Sequence, residues 1–369
     1  MRTDVAQGRL PGVVMLLSRN GKTVYQEAIG TQDPKANTPM TADSIFRIYS
    51  MTKPIVSVAV MMLVEEGRVQ LGDPISKFIP ELRGMKVGVE QPGADGKPTL
   101  ALVNSAREMT VQDLLRHTSG LTYGVFGSSL VKTEYTKAGV DSWDQTNLEV
   151  MQKLAKVPLH FQPGAVWEYS RSTDVLGHLL ERVSGQPLDQ YLDARVLKPL
   201  GMKDSGFSVP ASAHGRIAEA FELDPDTKAK VTLAEVRKPP KLLSGGGGMV
   251  STAADYLRFC RMLLNGGELD GVRLLSKKTV EYMTADHMGA LKGASPGYGF
   301  GLGFAVRRSD GEANVPGTAG EYNWAGLGGT AFWIDPRENL IAIWMMQAPN
   351  QRNYYRNLYR GMVYGAMVK

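Results

Sequence analysis

The chain has 369 residues, 43% hydrophobic and 21% charged, enough apolar material for a large core spread over two lobes and too much for a disordered polymer. Its 42 basic and 37 acidic residues leave a net charge of +5. The charges are scattered, and the longest basic cluster, residues 228–241, is broken by Pro239 and Pro240, so a nucleic-acid partner is not expected.

Residues 1–8 contain no apolar signal-peptide core. The expected location is therefore the cytoplasm, or the periplasm if a leader was removed ahead of residue 1. Two apolar runs, residues 11–19 and 23–30, flank Asn20-Gly21, a dipeptide suited to the left-handed dihedrals of a tight hairpin. Next comes Ser50-Met51-Thr52-Lys53-Pro54. Proline is tolerated in the first helical turn, so Ser50 is expected at or just before a helix N-terminus. The helix that follows is apolar on all sides through Val64, which makes it central and buried; its run of ten apolar residues is too short to cross a membrane.

From about residue 73 to 240 the signals are helical segments joined by long loops. Residues 110–117 read as a short amphipathic helix capped by Thr110, and residues 174–183 as another, ended by Ser184-Gly185. Residues 87–104, with Gln91-Pro92-Gly93-Ala94-Asp95-Gly96, read as an exposed hairpin or loop. Ser244-Gly245-Gly246-Gly247-Gly248 then offers a backbone free of side chains, suited to close approach by another element.

The single cysteine, Cys260, lies in an amphipathic helical pattern and is expected as a small core residue; no intrachain disulfide is possible. Strands are expected over residues 299–307, 331–335 and 340–347. A final helix over 353–367 places Tyr355, Leu358, Tyr359 and Met362 on its core face. The expected fold class is α/β (α+β): an antiparallel sheet flanked by helices, with a mainly helical domain inserted. The sheet domain takes residues 1–72 and 241–369, the helical domain takes 73–240, and the site lies in the cleft between them.

Residues three apart on a helix share a face, so Ser50 and Lys53 are neighbours. The helix N-terminus favours negative charge developing on the serine, and a desolvated lysine is a proton acceptor. By itself Ser-x-x-Lys is a weak signal, and a capping serine with a surface lysine explains it better.

Ser50-Met51-Thr52-Lys53-Pro54 resembles the first motif of the serine β-lactamase and penicillin-binding-protein superfamily, and Pro163-Gly164-Ala165-Val166-Trp167-Glu168-Tyr169-Ser170 resembles its tyrosine-containing second motif. His117-Thr118-Ser119-Gly120-Leu121, Gly201-Met202-Lys203-Asp204-Ser205 and residues 247–255 look like the class C branch. Tyr169-Ser170-Arg171-Ser172-Thr173-Asp174-Val175-Leu176-Gly177 and Trp324-Ala325-Gly326-Leu327-Gly328-Gly329 are similar to the family VIII carboxylesterases, which share that fold. The resemblance runs from about residue 10 to 348.

It implies a β-lactamase/transpeptidase-like fold and an acyl-enzyme mechanism. Ser50 is the nucleophile, Lys53 and Tyr169 take its proton, and the backbone N–H groups of Ser50 and Leu327 hold the oxyanion. Two departures bear on the substrate. Where β-lactamases hold a substrate amide with an asparagine two residues after the tyrosine, this chain has Arg171. Where they hold the lactam carboxylate with Lys-Thr-Gly, it has Trp324-Ala325-Gly326, and a neutral aromatic supplies no charge-assisted contact. Trp324, Ala325, Gly326 and Arg171 are the substrate-binding candidates, joined by Tyr123 and Phe126 as acyl-pocket walls.

The expected activity is hydrolysis of short-chain acyl esters, with a small-molecule ester as the partner. A β-lactamase, a D-amino-acid peptidase, an amide hydrolase and an acyltransferase share these motifs, and a ligand-sensing module is the non-enzyme alternative. No cofactor is expected. The five histidines are dispersed and no Cys-x-x-Cys exists, so no metal site is expected either. Gly293-Ala294-Ser295-Pro296-Gly297 matches a nucleophile elbow in spelling, but no histidine follows it, and a turn is expected there.

Overall fold

A computed structural model describes residues 1–94 and 96–367. One antiparallel sheet organises them. Across it the strands run Tyr298–Phe300, Ala305–Arg307, Tyr322–Ala325, Ala331–Asp335, Leu340–Met346, Gly12–Arg19, Lys22–Asp33 and Thr38–Pro39. All come from the first 40 residues or from beyond residue 297, and Gly12–Arg19 joins the two groups by pairing with Leu340–Met346, Val13 opposite Met346. The expected first hairpin is present: Asn20 and Gly21 have φ of 51° and 75°, the left-handed values a two-residue turn needs. The strand expected over 299–307 is instead two short paired strands, because residues 301–304 turn the chain back, with Gly303 at φ 101°.

Both faces of the sheet are covered. Trp333 and Trp344 point to one side and pack on Tyr355 and Tyr359 of the C-terminal helix, Arg352–Gly365. Val363 completes that stripe, whereas Met362, expected in the core, is 54% exposed. On the other side lie the helix Ala253–Leu264, with Cys260 fully buried, and the helix Thr52–Glu65. The latter is buried at every residue from Thr52 to Leu63, as its apolar periphery requires.

Helix Ser172–Ser184 packs against Thr52–Glu65 and ends at Gly185 in the left-handed conformation. Thr110 caps helix Val111–Leu115 through a reciprocal bond pair with Asp113. That helix stops two residues short of expectation, because His117 turns left-handed at φ 57°. Residues 86–104 form the hairpin Lys86–Pro92 and Pro98–Asn104; Asp95, part of its expected tip, lies outside the described residues. Among the described residues no helix is long and apolar enough to cross a membrane.

Candidate active site

Ser50 sits in a single 3-10 turn, Tyr49–Met51, that runs into the helix Thr52–Glu65. The turn is held on several sides. Ile48 N–H donates to Met249 O, Met249 N–H to Thr52 Oγ1, and Tyr256 Oη to Met51 O. Tyr49 has φ 43°, a conformation that costs a non-glycine residue about 1–3 kcal/mol and persists only where its surroundings impose it. Here its buried ring lies against Gly328 and its hydroxyl accepts from Ala234 N–H at 3.0 Å. Gly326 is obligatory on the facing strand end, since a Cβ there would collide with Ile48 O and Thr330 Oγ1.

One helical turn after Ser50, Lys53 is buried and its Nζ is 3.4 Å from Ser50 Oγ. Nζ also donates to Tyr123 Oη at 3.1 Å and to Gly246 O at 2.6 Å. Tyr169 comes from 119 residues away, and its hydroxyl donates to Ser50 Oγ at 2.6 Å. Lys53 Nζ stands over the Tyr169 ring, 4.5 Å from its centroid. The three residues singled out as catalytic candidates are therefore in mutual contact around one oxygen.

An aromatic shell holds the Tyr169 ring: Trp324 at 5.4 Å, Tyr123 at 5.3 Å and His117 at 5.1 Å between centroids. His117 is buried, which pushes its pKa well below the ordinary value; as a neutral ring it sits 3.2 Å from Ser170 Oγ. Glu168, the residue before the tyrosine, ties this segment to the loop opposite. Burial opposes its charge, but hydrogen bonds from His160, Thr122 and Lys132 outweigh that and bring its pKa down to about 2.

Ser50 and Tyr169 open onto a cavity of about 460 Å³, within the range of small-molecule sites. Phe126, Trp324, Ala325, Gly326 and Leu327 line it, so the expected oxyanion donors, at Ser50 and Leu327, both border it. Two substrate-binding expectations are corrected. Tyr123 is buried behind Tyr169 and faces Lys53 rather than the cavity; burial pushes its hydroxyl pKa well up, so it is a neutral phenol. Arg171 is also buried and turned away. It pairs with Asp141 at 2.7 Å and Asp174 at 3.2 Å, and these carboxylates outweigh burial and keep it charged. A guanidinium engaged by two carboxylates has no free donor fork for a substrate.

The far wall held features the motifs did not reveal. Arg352 and Arg356 of the C-terminal helix border the cavity with Asn353 and Asn357, and among the described residues no acidic side chain lines it. Their i, i+4 spacing was readable, but nothing in it pointed to this cleft. Ser295 also borders that wall, in the turn before Tyr298 and without a histidine among its hydrogen-bond partners. Among the described residues no cluster suited to a metal ion occurs.

The family model described as Beta-lactamase matches residues 1–362. The chain is 38% identical to Protein Rv1367c of Mycobacterium tuberculosis, over 92% of this chain and 86% of that one. It is 34% identical to Esterase EstB of Burkholderia gladioli, over 89% and 83%. Among solved structures, that of EstCE1, described as a hydrolase with promiscuous acyltransferase activity, superposes with a TM-score of 0.80 at 26% identity, covering 98% of this chain and 96% of the other. The chain belongs to the beta-lactamase family, in the serine β-lactamase and penicillin-binding-protein superfamily, on the side of its family VIII esterases.

Proposed function

We propose that this protein is a serine carboxylesterase that cleaves short-chain acyl esters through an acyl-enzyme on Ser50. The site lies in the cleft between a sheet lobe, residues 1–72 and 241–369, and a mainly helical lobe, residues 73–240. The observation that carries the proposal is the placement of Tyr169 Oη and Lys53 Nζ at 2.6 and 3.4 Å from Ser50 Oγ, at the mouth of a cavity with aromatic side chains beside the nucleophile. A nucleophile with a base and a second proton carrier in reach is the requirement for acyl transfer.

Ser50 Oγ attacks the ester carbonyl while its proton passes to the Lys53–Tyr169 pair. The carbonyl oxygen, now negative, is held by the backbone N–H groups of Ser50 and Leu327. Tyr169 protonates the departing alkoxide, since its hydroxyl is in contact with the attacking oxygen, Ser50 Oγ. Water then enters, gives up a proton to the same pair and releases the acid. An alcohol in place of water gives acyl transfer, the second activity in the description of EstCE1.

The test is turnover of p-nitrophenyl butyrate by the wild type and by Ser50→Ala, with intact mass after brief exposure. Turnover that survives the substitution sinks the proposal, as does the absence of an adduct on Ser50 under single-turnover conditions. A second reading, a substrate that carries an anion, is favoured by Arg352 and Arg356 on the far wall, which replace in kind the charge that Trp324 cannot supply.

A further inference from the structure

Lys53 Nζ has three oxygen neighbours: Gly246 O at 2.6 Å, Tyr123 Oη at 3.1 Å and Ser50 Oγ at 3.4 Å. An ammonium has a proton for each. A neutral amine has two protons and one lone pair. The two short contacts retain the protons, so the lone pair is left facing Ser50 Oγ, whose proton has to be removed. The aim of the base is thus set by where Gly246 O and Tyr123 Oη are held.

Both are held by one chain of charges, buried at Asp174 and Arg171. The Gly246 N–H donates to Asp174 Oδ1 at 3.0 Å, and Ser244 Oγ donates to the same oxygen. Asp174 Oδ2 accepts from Arg171 Nη1 at 3.2 Å. Arg171 Nε and Nη2 reach Asp141 Oδ1 at 2.8 and 2.7 Å. Asp141 Oδ2 accepts from the N–H of Gly124, next to Tyr123, at 2.9 Å. The Arg171 guanidinium lies 5.0 Å from the Tyr123 ring centroid. Asp174 and Arg171 are both at most 5% exposed, so each relies on the other for compensation and the chain is stiff.

We propose that the Asp141–Arg171–Asp174 chain is a brace that positions Lys53, with Asp174 acting through the Gly246 carbonyl and Asp141 through Tyr123. It rests on the reading of Lys53 as the base toward Ser50. Arg171, at the position where relatives hold substrate, is here a positioning residue and touches no substrate.

Gly246 supplies the test, because a Cβ there would stand 2.7 Å from Asp174 Oδ2 and 3.0 Å from its Cγ. Gly246→Ala must displace either the carboxylate or the carbonyl. On p-nitrophenyl butyrate it is expected to lower kcat about 10-fold or more with KM within about threefold, the mark of misplaced chemistry rather than lost binding. Asp174→Ala is expected to do the same, and Asp174→Asn, which keeps an oxygen for the Gly246 N–H, to recover most of kcat. Adding Gly246→Ala to Asp174→Ala should cost nothing further, since the collision is gone.

Losses that multiply in the double variant overturn the brace, as does a raised KM at unchanged kcat. Should Asp174→Ala not fold, Gly246→Ala alone decides, and wild-type kcat overturns the proposal. Lys53→Met separates the two levels: if it leaves turnover intact, the reading of Lys53 falls. If it abolishes turnover while Gly246→Ala is silent, only the brace falls.

Discussion

Tyr169→Phe isolates one atom. The ring keeps its contacts with Trp324, Tyr123 and His117, all with centroids within 5.5 Å, so the packing is preserved. What disappears is the hydroxyl 2.6 Å from Ser50 Oγ. As a structural hydrogen bond its loss costs about 1 kcal/mol, a shift of only a few degrees in Tm for a chain of this length. As a general acid and base its loss costs about 10²-fold or more in rate, equivalent to about 2.7 kcal/mol on the barrier. The assay compares kcat/KM for p-nitrophenyl butyrate and ethyl butyrate, alongside thermal melting. p-Nitrophenolate leaves without a proton, whereas ethoxide needs one. The deficit is therefore expected to be several times larger for the ethyl ester, provided acylation limits kcat/KM. Equal deficits on the two esters would refute the assignment of Tyr169 as donor to the leaving alcohol. A deficit accompanied by a fall of more than about 10 °C in Tm would show that the hydroxyl serves the fold.

Two more outcomes follow from the same geometry. Arg356 borders the cavity, is hydrogen-bonded to Asn353 and has no carboxylate partner among the described residues; burial and the charges of Arg360 and Arg352 pull its pKa below the usual value. An uncompensated guanidinium favours an anion, so if the substrate bears one, Arg356→Gln should raise KM for p-nitrophenyl hemiglutarate about 10-fold while leaving p-nitrophenyl butyrate within about twofold; equal effects on both esters would dismiss an anion site on this wall. Glu168 has its pKa lowered from 4.5 to about 2 in the fold, so the stability it contributes is fully present above pH 4.5 and is lost as pH falls toward 2. Glu168→Gln is expected to melt lower than wild type at pH 7 and to show a shallower loss of Tm between pH 4.5 and 2; identical slopes would mean that the carboxylate is not held by His160, Thr122 and Lys132 in solution.

Local pattern was sufficient wherever a feature depends on neighbours in the chain. Asn20-Gly21 specified the first hairpin because only a few residue types accept its dihedrals. Pro54 placed Ser50 at the head of a helix, and the apolar periphery of that helix placed it in the core. The motif order carried the superfamily and, with it, Tyr169. The sequence also announced that the glycine run at 245–248 serves a close approach, although not that the Gly246 carbonyl receives the Lys53 proton donor. A backbone oxygen has no residue signature.

What only the tertiary structure decided is the direction of long buried side chains. Arg171 and Tyr123 were placed in the substrate pocket by their position beside the motifs, and both turn away from it. Their partners, Asp141 for one and Lys53 for the other, lie 30 and 70 residues distant in sequence. A guanidinium in a low-dielectric interior goes where carboxylates compensate it, and that is a property of the assembled lobes. The same holds for Arg352 and Arg356, ordinary helical arginines until the fold lays their helix along the cavity that Ser50 opens onto. Chain pattern determined which residues meet at the nucleophile; the packing of distant segments determined which of the remaining polar groups aim the base and which face the substrate.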